Sequence, residues 1–224
     1  MTGFDPFFIP RLDALVDAAT RANALLVPAL LDFSWCGQRK LASSVPLGGH
    51  ADIISDPDKR RSFLDTLAQL LRRYGGNPAI VAWDIMNEPE WIIPKLPDRV
   101  PDFAFEPVPL ADMRQFVSAG ADLVHRFTDH SVTLGSARRT WLQLWQGLEL
   151  DVYQFHCYDH FASDEPFLWP HANALGLDRP IAIGEVPRHD TRYSPGDFIA
   201  AAAAGGYPAV FFCSCRARDQ FSGF

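Results

Sequence analysis

Two spacings of apolar residues alternate along this chain. Short apolar runs, bounded by Pro, Gly, Asn or Asp, fall near residues 24–33, 79–86, 131–136, 151–158, 181–185 and 209–215. Runs of this length and composition predict strands buried on both faces of a sheet. Between them, apolar residues recur every three or four positions, which predicts helices. The first covers residues 10–23, with Pro10 in its first turn and Leu12, Leu15, Val16 and Ala19 on its apolar face. The second starts at Ser55-Asp56-Pro57, carries Phe63, Leu67, Leu70 and Leu71 inward, and stops at Gly75-Gly76. Proline just inside a helix and glycine just past it are the expected punctuation. A third helix spans about residues 110–128, a short one 137–147, a weak one 170–176, and a last one runs from Ser194-Pro195 to Gly205-Gly206. Trp141 and Trp145 sit four apart in the short helix and are expected in the core.

Regular alternation of strand and helix predicts an α/β fold with a parallel sheet. An open doubly wound sheet and a closed barrel both fit it. With 224 residues, the chain is expected to form a single domain over 1–224.

Two strands end in carboxylates. Ala79-Ile-Val-Ala-Trp-Asp-Ile-Met86 stops at Asn87-Glu88-Pro89, and Pro180-Ile-Ala-Ile-Gly runs into Glu185. The C-terminal ends of strands in a βα barrel carry its chemistry. Along residues 152–158, period-two alternation places Gln154, His156 and Tyr158 on one face. The proline-rich, acidic stretch 91–108, with Phe103 and Phe105, predicts a long functional loop. Glu90 is expected at the surface.

Charge and cysteine content narrow the classes. The net charge is −7 and no Lys/Arg block occurs, so a nucleic-acid partner is not expected. No apolar run is long enough for a membrane span, and no membrane association is expected. The first residues show no signal peptide, which, with Cys36, Cys157, Cys213 and Cys215 irregularly spaced, points to a cytoplasmic protein. Three of these cysteines fall near strand ends, with His50, His156 and His160 not far along the chain, but no CxxC spacing supports a zinc site. Neither a metal nor a cofactor is expected.

Taken in order, Trp83-Asp-Ile-Met-Asn-Glu-Pro-Glu-Trp91, His156-Cys-Tyr158 and Ile183-Gly-Glu185 resemble the cellulase-like retaining glycoside hydrolases. These are family 5-like (β/α)8 enzymes of the clan holding cellulases, β-mannanases and β-glucosidases. The resemblance runs over essentially the whole chain. It implies a TIM-barrel-type (β/α) sheet with about six of the strands recognisable, lacking the first two strands, the first helix and the last helix. It also implies a β-linked carbohydrate substrate, Glu88 as acid/base, Glu185 as nucleophile, Asn87 on the sugar 2-hydroxyl, and His156 and Tyr158 lining the site. The arginine such enzymes carry on their second strand has no counterpart here, and Cys213 takes the place of a tryptophan at the end of the last strand.

Glycoside hydrolysis needs a neutral carboxylic acid to protonate the leaving oxygen and a second, ionised carboxylate. Carboxyls about 5–5.5 Å apart give retention, and about 6.5–9.5 Å leaves room for a water and gives inversion. Trp35, Trp91 and Trp169 are candidate platforms for apolar sugar faces. A barrel missing strands has open edges at 24–33 and 209–215, so a homo-oligomer joined at those edges, or an N-terminal segment folded across the gap, is expected. The rival reading is a catalytically weak or inactive truncated barrel that binds carbohydrate or assembles through its exposed edge strands.

Overall fold

A computed structural model describes residues 3–42, 45–97, 105–158, 166–188 and 191–214. Phe103, His160 and Cys215 lie outside the described residues. The elements are helix α1 (Phe8–Ala22), strands β1 (Lys40–Ala42) and β2 (Val45–Leu47), helices α2 (Asp52–Ser55) and α3 (Pro57–Tyr74), strand β3 (Ala82–Asn87), helix α4 (Leu110–Phe127), strands β4 (Ser131–Ser136), β5 (Tyr153–His156) and β6 (Ile181–Pro187), helix α5 (Pro195–Ala204) and strand β7 (Val210–Cys213). The chain divides into two compact units, Met1–Thr133 and Leu134–Phe224.

In the first unit, α3 begins where Asp56 accepts the backbone N–H groups of Asp58 and Lys59, at 2.9 and 3.1 Å. The cap is Asp56 itself, with Pro57 in the first turn. The helix buries Phe63, Leu67, Leu70 and Leu71, as its spacing predicts. Helix α4 approaches β3 closely at Gly120, where a Cβ would lie 3.0 Å from Ile85 Cγ2. Trp83, Ile85, Met86 and Phe116 form the buried interior there.

Two expectations in this unit fail. Helix α1 buries Val16 and Ala19, but Leu15 is 54 % exposed. The helix is held on its other flank instead: Arg73 grips Asp13 through Nε at 3.1 Å and Nη2 at 2.6 Å, and Tyr74 donates to Asp13 Oδ1 at 2.7 Å. Residues 24–33 are not a continuous strand. They run parallel to β3 through isolated bridges, Leu26 to Ile80, Ala29 to Asp84 and Asp32 to Asn87. Pro28, which has no N–H to give, interrupts the run, although its carbonyl still accepts Asp84 N–H at 3.0 Å. The sequence also gave no sign of the β1–β2 hairpin, which pairs antiparallel.

In the second unit, β4–β5, β5–β6 and β6–β7 pair in parallel. Strand β4 spans the boundary. Its Ser131 N–H donates to Val81 O in the first unit, while Gly135 and Ser136 pair with Gln154 and Phe155 in the second. Within this unit the order is β4-β5-β6-β7, the sequential order of parallel βα units. Helix α5 starts with a full capping box between Ser194 and Asp197. Trp141 and Trp145 are buried as expected, in a 3-10 helix over Arg139–Trp145 rather than an α-helix. The weak helix near 170–176 is likewise a 3-10 turn, Ala172–Leu175. No described helix is long and apolar enough to cross a membrane.

Candidate functional site

The first unit delivers Asn87 and Glu88 at the end of β3. Asn87 N–H donates to Leu31 O at 2.9 Å. Its side-chain Nδ2 donates to Asp32 Oδ2 at 2.7 Å. Glu88 then turns the chain sharply, with φ +49 and ψ +50, into a 3-10 turn over Pro89–Ile92. A non-glycine residue in this region is held there by its surroundings. Trp91, three residues on, donates its indole N–H to Glu88 Oε2 at 2.7 Å.

That turn corrects two expectations. Trp91 is 8 % exposed, so its faces are not available as a stacking platform, and its N–H orients Glu88 instead. Glu90 is fully buried rather than at the surface, at the second position of the Pro89–Ile92 turn. Trp35 keeps the role open. It lies in a 3-10 turn over Phe33–Cys36, is 43 % exposed, and has its ring 5.8 Å from that of His50.

The second unit holds the other group. Tyr158 donates its hydroxyl to Glu185 Oε2 at 2.6 Å, and His156 Nδ1 lies 3.4 Å from the same oxygen. His156 is buried, whereas the Glu185 side chain is partly exposed. A local irregularity in β6 puts Glu185 opposite His156. Phe155 pairs with Ile183, yet His156 pairs with Glu185, so β6 carries one extra residue there. The β6–β7 pairing shifts over the same stretch, between Ile183 and Val186. Bulges re-aim side chains and are frequent beside functional sites. Gly184 makes room for it: a Cβ there would lie 2.4 Å from Gln154 Oε1 and 3.1 Å from His156 Cδ2. Gln154 and His156 thus cover the same face of β6, as the alternation predicts.

Trp169 is not a platform. It is 8 % exposed and packs among Phe155, Phe198 and Tyr207, with ring centroids 5.9, 6.3 and 5.9 Å away. Cys213, at the end of β7, is half-buried. Burial first, then the charges of Glu106, Asp32 and Asp52, push the Cys36 thiol up to about 12. Cys157 is also buried.

No protein-family model matches the chain. It is 26 % identical over an alignment of 255 residues to a mannan endo-1,4-beta-mannosidase of Mytilus edulis, covering 94 % of this chain and 65 % of that protein. The crystal structure of an endo-1,4-beta-mannanase from Eisenia fetida superposes with a TM-score of 0.80 at 22 % identity, over 100 % of this chain and 70 % of that one. A beta-1,4-D-mannanase from Cryptopygus antarcticus gives 0.77 at 18 % identity, with the same coverage. The chain has the fold of the cellulase-like glycoside hydrolases. Its parallel sheet is of the TIM-barrel type, and it spans just under two thirds of the Mytilus protein's length. Within this glycosidase fold, Asn87 and Glu88 end one strand and Glu185 marks the bulge of another.

Three features of the site escaped the sequence reading. Asp32 ends its own apolar run as Asn87 ends the next, a parallel that could have marked the pair. The Trp91 bond to Glu88 follows from a three-residue spacing that only a 3-10 turn brings together. The bulge at Gly184 had a signal too, a glycine directly before a strand-end carboxylate.

Proposed function

We propose that the protein is a retaining glycoside hydrolase acting on β-linked mannosides. The observation that carries this reading is the clasp on Glu185 Oε2, where the Tyr158 hydroxyl at 2.6 Å and His156 Nδ1 at 3.4 Å hold one oxygen of the carboxylate. Glu88, oriented by Trp91, is the second carboxyl. The mannosidic substrate is favoured because the Mytilus, Eisenia and Cryptopygus proteins are all named for β-mannan.

Glu185 attacks the anomeric carbon while Glu88 protonates the departing glycosidic oxygen. The C–O bond to the leaving sugar breaks and a glycosyl ester to Glu185 forms. Water then attacks the same carbon, Glu88 takes its proton, and Glu185 is released. Asn87 binds the 2-hydroxyl, and Trp35 offers a stacking face to a further sugar ring.

The test is hydrolysis of aryl β-mannosides and β-1,4-mannooligosaccharides by the purified chain, with the product anomer followed by NMR. Glu88→Gln and Glu185→Gln are expected to abolish hydrolysis of the oligosaccharide without loss of fold. Undiminished activity in Glu185→Gln overturns the assignment, and an inverted product overturns the retaining mechanism. A second reading, sugar binding without turnover, draws on Cys213 standing where the resemblance places a tryptophan. Calorimetric binding of mannooligosaccharide with no product in the wild type would establish it.

A further inference from the structure

We infer that Asp32 is a positioning residue that fixes which end of the Asn87 amide faces the sugar; the inference rests on the glycoside hydrolase reading above. Asp32 lies directly opposite Asn87 in a parallel bridge, secured by Asn87 N–H to Leu31 O at 2.9 Å. Residues opposite each other on neighbouring strands, about 4.8 Å apart, project to the same face. Both carboxylate oxygens of Asp32 are engaged. Oδ1 accepts Ser34 N–H at 2.9 Å, and Oδ2 accepts Asn87 Nδ2 at 2.7 Å. The first bond ties Asp32 to the turn Phe33–Cys36, the second ties Asn87 to Asp32.

The chemistry of the two side chains makes this a polarity lock. A carboxylate at neutral pH only accepts hydrogen bonds, whereas an amide has a donor end and an acceptor end. Only the nitrogen of Asn87 can face Asp32, so the amide cannot turn over. Its Oδ1 and its second N–H are then presented with fixed places and fixed roles. A sugar hydroxyl both donates and accepts. Against a locked amide it has one productive orientation, and against a freely turning amide it has two. Positioning of this kind matters most where a contact strengthens as the transition state forms.

Asp32→Asn separates this role from a structural one. The new amide oxygen still accepts Ser34 N–H, so the turn is kept. Its nitrogen now confronts the Asn87 nitrogen, and Asn87 must turn its oxygen inward to restore the hydrogen bond. The comparison uses an aryl β-mannoside and the matching 2-deoxy glycoside, which has no hydroxyl for Asn87 to hold. Asp32→Asn is expected to lower kcat/KM on the mannoside by about ten- to a hundredfold, and on the 2-deoxy substrate by no more than about twofold, with an unchanged Tm. In an Asn87→Ala background the same change is expected to have no further effect on the mannoside.

Equal losses on both substrates, or no loss on the mannoside, overturn the inference and leave the enzyme reading standing, provided Glu185→Gln is inactive. An undiminished Glu185→Gln overturns the assignment of Glu185 as nucleophile, and with it the site reading on which the inference rests. Where the wild type binds mannooligosaccharide without hydrolysing it, the inference is read from calorimetry. Weakened binding by Asp32→Asn supports it, and unchanged affinity overturns it. No binding and no turnover by the wild type overturn both.

Discussion

Tyr158 donates its hydroxyl proton to Glu185 Oε2 across 2.6 Å. The oxygen it holds is also the one nearest His156 Nδ1, at 3.4 Å, so the carboxylate is gripped from one side and its rotation is limited. Removing the hydroxyl in Tyr158→Phe keeps the ring and its packing. The expected result is a fall in kcat of about ten- to a hundredfold, the effect of one lost hydrogen bond to a charged group, with KM little changed. Wild-type kcat in Tyr158→Phe would remove Tyr158 from the site.

Gly184 tolerates little side-chain volume. A methyl group there would meet the buried Gln154 amide at 2.4 Å and His156 at 3.1 Å. Gly184→Ala is therefore expected to destabilise the protein by about 1–3 kcal/mol, the usual range for overpacking, and to lower activity by displacing His156. Adding Gln154→Ala should recover part of the lost Tm, because the nearer obstacle is then gone. Calorimetry on the single and double variants decides, and a double variant no more stable than Gly184→Ala rules out this contact as the cause.

Asp13 should make the docking of α1 sensitive to acid. Hydrogen bonds from Arg73 and then Tyr74 hold its carboxyl below the ordinary value of 3.8. A carboxyl lowered in the folded state contributes stability above its unfolded value, and that contribution is lost as pH falls through the folded value. Asp13→Asn is thus expected to have a lower Tm than the wild type at neutral pH. The gap should close as pH falls below the ordinary carboxyl value of 3.8. Thermal melts over that range check it, and a gap that stays constant throughout contradicts the assignment.

The open side of residues 24–32 is expected to associate with a second copy. Leu25, Val27 and Val81 are 66, 37 and 39 % exposed. The N–H groups of Leu25, Val27 and Ala29 have no backbone partner among the described residues. An uncovered apolar edge of this kind invites pairing. Sedimentation should show concentration-dependent self-association that Val27→Lys reduces. A wild type that stays monomeric at high concentration would reject the edge as a contact surface.

The strands were legible wherever an apolar run ended in punctuation, as at Asn87-Glu88-Pro89 and Gly184-Glu185. Helices α3 and α5 were legible from Asp56-Pro57 and Ser194-Pro195. What stayed hidden depended on partners far along the chain. Leu15 obeys the helical spacing, yet α1 is anchored through Asp13 and residues 73 and 74. Trp91 and Trp169 have the composition of sugar platforms, but whether an indole offers a face or an edge depends on packing that no local pattern encodes. Residues 24–33 read as a strand because their apolarity is right. Pro28 breaks the ladder through a missing hydrogen, which an apolar pattern does not register.

The extra residue in β6 has a consequence for how this chain can vary. Side chains on a strand alternate between faces, so an inserted residue inverts the parity of everything beyond it. Counted through Gly184 by strict alternation, Glu185 would share the face of Ile183 rather than the face of His156, which it takes. The direction of the carboxylate is therefore set by an odd or even count, and a count cannot be restored by choosing a better side chain. Substitutions around Glu185 leave the frame intact and are graded in effect. A change of register that paired Gly184 one-for-one with His156 would instead turn the carboxylate to the face of Ile183, whatever residues remain.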